Sequence, residues 1–120
     1  MKRDVDLIRK VMLRIEEKDE LPNAMNLEVS EDVLKYHVLL LNVASLVFGC
    51  PAEQTMDGNI FVHVTTTPRL TWKVHEFIDR ARDDSIWQAA KDKMKKAGGT
   101  VSFNVLARIL AELVVRKIGM

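Results

Sequence analysis

The sequence has few of the residues and motifs that mark a specialised class of protein. Its 120 residues include one cysteine, three prolines and five glycines, and the formal net charge is only +1. The lone cysteine, Cys50, excludes an intramolecular disulfide and favours a reducing compartment. The small net charge gives no overall attraction to nucleic acid or to an anionic membrane.

Long hydrophobic runs are also missing. Residues 1–6 lack the apolar run of a signal peptide, and Arg108 and Glu112 interrupt the apolar C-terminal stretch. We therefore expect a cytoplasmic protein without a membrane-spanning segment. An apolar fraction of 48% and a charged fraction of 29% are typical of a soluble globular chain, and the length fits a single domain over residues 1–120.

Motifs of the common enzyme classes are absent as well. The sequence contains no glycine-rich phosphate loop and no serine in a nucleophile elbow. The carboxylate pair Asp83–Asp84 follows Arg80 and Arg82, and it is explained by the end of one helix and the start of the next. The available metal ligands, which lack the paired spacing of a zinc or iron site, are Cys50, His37, His63 and His75. We predict no catalytic residue, no metal site and no cofactor.

Apolar periodicity predicts two helices in the first part of the chain. The first spans about residues 4–18, with Asp4 as its N-cap. A proline then breaks the helical hydrogen-bond ladder, and the alternation over residues 25–29 predicts a short strand. The second helix spans about residues 31–47 and follows a capping Ser30.

The second helix is apolar on most sides. Helical projection leaves one narrow polar strip, with Val38 in its middle, and this strip consists of Glu31, Lys35, Asn42 and Ser45. A helix with so little polar surface is expected to be wedged between other elements.

A β-hairpin and a third helix are predicted next. Alternation over residues 60–65 predicts a half-buried strand after the turn at Asp57–Asn59, with a partner strand near Val47 to Cys50. The third helix spans about residues 72–84, and Trp72 is among the residues through which it is expected to pack.

Two more helices are predicted at the C-terminal end. Ser85 is expected to cap the fourth helix, which stops at Gly98–Gly99. The fifth spans about residues 102–117, is capped by Thr100 or Ser102, and has a polar stripe one residue wide. The fold class predicted for the chain is α+β, mainly α.

The order of helix, turn, hairpin and helix from Ser30 to Asp84 is that of a winged helix-turn-helix domain. The passage from Tyr36 to Val47, with the hairpin and Leu70-Thr71 after it, resembles the recognition helix and wing of bacterial winged-helix repressors. The whole chain resembles an uncharacterised family of small proteins from bacterial and prophage genomes, classed as a domain of unknown function. The segments that carry this resemblance are 1–9, 56–58, 69–72, 75–79, 82–87 and 98–102.

The resemblance implies a winged-helix-like core over residues 1–84, a C-terminal helical extension over residues 85–120, and no established activity. Two positions depart from the expected pattern. Ser45 stands where glycine usually follows the helix, so a left-handed turn there would be strained. Val74 stands where glycine usually lets the post-wing helix approach its neighbour closely.

The local charge disfavours DNA as the ligand of such a domain. From Asp19 to Thr71 the chain has two basic residues, Lys35 and Arg69, against seven acidic ones, a net charge of −5. Because phosphate contacts supply most non-specific affinity, a surface of this sign should repel a duplex. The residues expected to form the interaction face are Glu31, Lys35, Asn42, Ser45, Asp57 and Arg69.

We therefore predict a non-enzymatic interaction module of phage or prophage type that binds an unidentified protein in a regulatory or anti-defence role. The alternative is a DNA-binding transcriptional regulator of a mobile element.

The last helix is also predicted to form a homodimer interface, since so narrow a polar stripe must be covered on nearly all sides. Complete packing inside its own monomer is the alternative. The proposed interface residues are Phe103, Leu106, Ile109, Leu110, Leu113 and Val114.

Overall fold

This computed structural model describes residues 3–98 and 102–118. They form five helices and four short strands, joined by turns and loops. The chain is therefore α+β and mainly helical, as predicted. The elements are α1 (Val5–Lys18), α2 (Glu31–Val43), β1 (Val47–Phe48), β2 (Ala52–Gln54), β3 (Ile60–Val62), β4 (Arg69–Leu70), α3 (Trp72–Ala81), α4 (Asp84–Lys96) and α5 (Phe103–Ile118). The chain divides into two compact units, Met1–His75 and Glu76–Met120, with the boundary inside α3. None of the described helices is long and apolar enough to cross a membrane.

Helix α1 begins where the sequence predicts. One carboxylate oxygen of Asp4 accepts hydrogen bonds from the backbone N–H groups of Asp6 and Leu7, at 3.0 and 3.2 Å. These bonds satisfy donors that the first turn of a helix leaves without partners. The buried face of α1, which lies in the unit with α2 and β4, consists of Leu7, Val11, Met12 and Ile15.

Helix α2 is capped by Ser30, whose hydroxyl accepts from the Val33 N–H at 3.2 Å. The helix ends at Val43, so the predicted end at residue 47 is wrong. Ser45 adopts a left-handed conformation with φ of 59°, and Leu46 N–H donates back to the Leu41 carbonyl at 2.9 Å. This hydrogen bond closes a turn at the C-terminal end of α2. A non-glycine residue in the left-handed conformation of such a turn carries a strain of about 1 kcal/mol.

The segment between α1 and α2 is not a strand. Asn26 N–H donates to the Asn23 carbonyl, and Val29 N–H donates to the Ala24 carbonyl, both at 3.1 Å. These local bonds form turns over residues 24–29. Met25 is 81% exposed, so the alternation that predicted a strand does not reflect alternate burial.

A hairpin forms after β1, but with a different partner strand from the predicted one. β3 pairs antiparallel with β2, with Gln54 opposite Ile60 and Ala52 opposite Val62. The prediction that the partner of β3 lies near residues 47–50 is wrong, because β1 pairs with β4. Gly49 still lies beside this strand, since its carbonyl accepts from Thr65 N–H at 2.9 Å.

The two strand pairs are separate two-stranded sheets formed by the same two stretches of chain, with a change of register between them, and we call both pairs together the ribbon. Ala52 lies five positions after Val47, whereas their partners Val62 and Leu70 lie eight positions apart. The second side of the ribbon therefore carries three extra residues. They bulge at Thr66–Pro68, which passes over Gly49.

The second unit is a helical cluster around Phe77. The Phe77 ring lies 6.4 Å from the Trp87 ring and 4.6 Å from the Phe103 ring. Asp83 caps α4 by accepting from the N–H groups of Ser85 and Ile86, so the predicted cap at Ser85 is wrong by two residues. Ser102 caps α5 by accepting from Val105 N–H; the alternative cap, Thr100, lies outside the described residues.

Candidate interaction surface

The predicted polar strip of α2 does not form an outward-facing surface. The side-chain amide of Asn42 donates to the carbonyls of Val38 and Cys50, at 2.9 and 2.8 Å. Val38, in the middle of the strip, is 2% exposed, and Lys35 is half-buried. The expectation that Asn42 faces outward is therefore wrong, because its amide joins α2 to the strand ribbon.

A different side of α2 faces outward. Because an α-helix has 3.6 residues per turn, one acidic and four apolar side chains of α2 lie on this side. We call them the outer face of α2, and they are Asp32, Tyr36, Leu39, Leu40 and Val43. Val43 is 75% exposed and the three central residues are half-buried. Base edges are read by hydrogen-bonding side chains, so this face has little with which to read DNA.

The remaining predicted face residues are dispersed. Glu31 is exposed in the first turn of α2, and Ser45 is exposed in the left-handed turn after it. Asp57 lies in the hairpin turn, where the Thr55 hydroxyl and the Asn59 backbone N–H donate to its carboxylate and hold its pKa below the usual value. Its carboxylate is thus engaged in forming the turn.

Arg69 is the predicted face residue with the most distinctive surroundings. It lies on β4 directly opposite Phe48 of β1, and both side chains are exposed. Trp72, three residues further along, is 83% exposed, so the prediction that it packs into the core is wrong. We call Phe48, Arg69 and Trp72 the aromatic surface.

Two reactive side chains of the first unit belong to its interior. His37 is fully buried beside Tyr36, with their rings 5.3 Å apart and perpendicular. Its Nδ1 donates to the Val33 carbonyl, and its Nε2 accepts from the Asp4 backbone N–H, both at 2.8 Å. The Cys50 thiol is also buried, and burial raises its pKa, which makes the reactive thiolate scarce.

The described residues contain no group of three or more histidine, cysteine, aspartate or glutamate side chains arranged to hold a metal ion. A groove of about 330 Å³ runs along α1, with both signs of charge on its walls. Arg14 in this groove pairs with Glu20 at 2.5 Å. The groove is open and offers no converging set of ligands.

The six predicted interface residues of α5 fall into two groups. Leu106 and Leu110 are 5% and 0% exposed, so they form the interior of their own chain. The half-buried group consists of Phe103, Ile109, Leu113 and Val114. The more exposed apolar residues of α5 are Val105, at 38%, and Val115, at 68%, and neither was among the predicted interface residues.

Sequence patterns did not identify Phe48, Trp72 or Val43 as surface residues. All three are large and apolar, and large apolar residues are usually assigned to a core. For Phe48 the sequence did contain an indication of exposure, because neighbouring side chains of a strand point to opposite faces and Val47 is its neighbour. No comparable local signal distinguishes an exposed Trp72 from a buried one.

Comparison with known proteins adds a family but no activity. A family profile described as "Hypothetical protein (DUF2513)" matches residues 2–100. An uncharacterized protein of Haemophilus influenzae is 29% identical over 119 residues, which cover 95% of this chain and 96% of that relative. No solved structure matches the chain.

Proposed function

The chain belongs to the DUF2513 family, and from that premise we propose that it is a non-enzymatic, winged-helix-like interaction module whose partner is a protein. A regulatory or anti-defence role in a phage or prophage is part of the proposal. It comes from the resemblance to proteins of bacterial and prophage genomes.

The order of elements in the first unit supports the winged-helix-like assignment. Helix α2 takes the place of a recognition helix, the ribbon from Val47 to Leu70 takes the place of the wing, and α3 follows. Ser45 has the left-handed backbone that a glycine would adopt after such a helix. A shared fold does not determine which ligand is bound, so the class of partner depends on the side chains that the first unit exposes.

The observation that carries the proposal is the composition of the outer face of α2. In a DNA-reading helix, this face presents side chains that hydrogen-bond to base edges. Here it presents aliphatic and aromatic side chains beyond an acidic first turn. A group of half-buried apolar side chains next to an exposed one, on one side of a helix, is typical of a helix that packs against a protein.

The charges support the same partner class. All seven acidic residues between Asp19 and Thr71 are exposed, whereas one of the two basic residues, Lys35, is half-buried. A duplex approaching residues 19–71 would meet many more carboxylates than cations, and counterion release there would contribute little to its affinity.

Binding to duplex DNA at low salt separates this proposal from a transcriptional regulator. We expect no saturable change in the fluorescence anisotropy of a labelled random-sequence duplex titrated with the protein. The double variant Glu31→Lys, Asp32→Lys, which replaces two exposed carboxylates by cations, should bind measurably and should release the duplex as salt is added. Tight, salt-sensitive binding by the wild-type chain would overturn the proposal.

A homodimer through α5 is the second part of the proposal. The apolar side chains available to it are the exposed Val105 and Val115 and the half-buried Ile109, Leu113 and Val114. Arg108, Glu112 and Arg116 are exposed between Val105 and Val115 on the same side of the helix, so an interface formed by this side would include these charges together with the apolar residues.

For this interface we expect Val115→Arg to convert a dimer into a folded monomer. Val115 is exposed, so a charge there should leave the fold intact while it opposes burial in an interface. Leu110→Ala is the contrasting variant: it should lower the free energy of unfolding by about 2–5 kcal/mol and leave the dimer in place. Light scattering with circular dichroism measures both, and a monomeric wild-type chain at high concentration would exclude the dimer.

A further inference from the structure

The aromatic surface combines two exposed aromatic rings with an exposed arginine. Phe48 is 61% exposed and Trp72 is 83% exposed, although large aromatic side chains are normally at least half covered. Among the described residues, neither Arg69 nor its neighbour Lys73 makes an ion pair or a side-chain hydrogen bond. These groups are therefore free to contact a ligand.

The backbone places Phe48 and Arg69 side by side and holds the start of α3, where Trp72 lies, next to β1. Phe48 and Arg69 are directly opposed in the antiparallel pair, which puts their Cβ atoms about 5 Å apart on one face. Their neighbours Val47 and Leu70 point to the other face and are 6% and 4% exposed. Thr71 N–H donates to the Leu46 carbonyl at 3.0 Å, and this bond holds the start of α3 beside β1.

The charge at this place is opposite to that of residues 19–68, in which one basic residue stands against seven acidic ones. Arg69 and Lys73 are both exposed on the short stretch that contains β4 and the first turn of α3. The nearest acidic residues on the ribbon are Glu53 and Asp57, on and beyond β2, and Glu53 lies 3.6 Å from His63. Glu76, one helical turn after Trp72, is also exposed, so Arg69 and Lys73 together give this stretch a small positive balance next to its aromatic side chains.

We propose that the aromatic surface binds a short acidic segment of the partner protein, with Arg69 pairing a carboxylate and Phe48 and Trp72 contacting an adjacent apolar side chain. The inference rests on the proposed function, in that the partner is a protein, and it specifies the chemistry of that partner. A guanidinium pairs a carboxylate through two parallel hydrogen bonds. Tryptophan and arginine are also the residues most often found as binding hot spots.

A nucleic-acid strand would use the same side chains differently. Stacked bases require a basic groove that follows the phosphate backbone over several nucleotides. Here the two cations are followed along the ribbon by exposed carboxylates, including Glu53 and Asp57. A short acidic peptide can end before it reaches them, whereas a long polyanion cannot.

Selection from a random dodecapeptide library displayed on phage, with the full-length protein immobilised, tests the proposal. We expect enrichment of peptides that combine aspartate or glutamate with an aromatic or large aliphatic residue. On the Arg69→Glu variant, we expect the selected peptides to change to lysine- and arginine-containing ones. Phe61→Ala, at another exposed phenylalanine of the ribbon, is the control and should select the acidic peptides that the wild type selects.

The affinity of one selected acidic peptide then assigns the residues. Its fluorescein-labelled form should bind at least ten-fold more weakly to Arg69→Ala and to Trp72→Ala than to Phe61→Ala, each variant being checked for folding by circular dichroism. Equal binding by all three variants would overturn the proposal, as would enrichment of basic peptides by the wild type or no enrichment at all.

A labelled oligothymidylate tests whether the aromatic surface binds single-stranded nucleic acid instead of an acidic peptide. If it binds the wild type and loses affinity in Arg69→Ala, the acidic-segment proposal is wrong. If uncharged apolar peptides are selected instead and bind through the outer face of α2, this inference fails while the proposed protein-binding function remains. If only duplex DNA binds, both fail.

Discussion

Replacing Gly49 by alanine is expected to lower the free energy of unfolding by about 3–4 kcal/mol, the largest effect expected for an alanine at any of the three glycines that the structure describes. Gly49 has a φ of +82°, which costs an alanine about 1–2 kcal/mol. A Cβ there would also lie 2.6 Å from the Thr67 carbonyl oxygen and 2.8 Å from the Thr66 hydroxyl. Because the first of these atoms is backbone, the bulge itself would have to move.

Gly58→Ala is the matched control for this prediction. Gly58 has a similar φ of +89°, but nothing lies within 4 Å of its missing Cβ. In this control, the free energy of unfolding should therefore fall only by the cost of the positive φ for an alanine, about 1 kcal/mol. Urea unfolding followed by circular dichroism measures both changes. Equal losses for the two variants would mean that the bulge does not pass close over Gly49.

The second large effect is expected for His37→Ala, with a loss of about 3 kcal/mol in the free energy of unfolding. The His37 side chain is fully buried in α2 and uses both ring nitrogens. Nδ1 must carry the proton, because it donates to the Val33 carbonyl while Nε2 accepts from the Asp4 backbone N–H. Alanine would leave a cavity and would release the start of α1 from α2.

His63→Ala provides the comparison for this histidine. His63 has a side chain 58% exposed and lies 3.6 Å from Glu53, an exposed pair of the kind that adds little stability. Its replacement should change the free energy of unfolding by no more than about 0.5 kcal/mol. Hydrogen exchange should also show faster exchange of the first amides of α1 in His37→Ala. Unchanged exchange there would contradict the proposed connection between the two helices.

The starts of α1 and α2 were predicted correctly because a local cap determines each of them, whereas the cap of α4 was placed at Ser85 instead of Asp83. Asp4 and Ser30 start their helices by bonds to backbone N–H groups two or three residues away, so the signal and its effect lie in the same few residues. The end of α2 was misplaced because its apolar residues continue past Val43 to Val47. The turn at Ser45 interrupts the helix without interrupting that pattern.

Strand pairing was predicted less well, because it depends on contacts between distant residues. The alternation at residues 60–65 located β3, but it does not specify whether β1 or β2 is its partner. The choice is made by the turn at Thr55–Asn59, where Asp57 accepts hydrogen bonds from its neighbours, and by the bulge at Thr66–Pro68. A bulge changes the register of a ribbon without any change in the apolar pattern.

The sequence alone determined the mainly helical α+β class, the caps that start α1 and α2, and the acidic balance of the region that includes α2. These properties follow from neighbouring residues or from a count of charges. Tertiary structure decided which face of α2 is turned outward and that Phe48, Arg69 and Trp72 are exposed together. Burial depends on what packs against a side chain, and for an apolar residue that neighbour comes from a remote part of the chain.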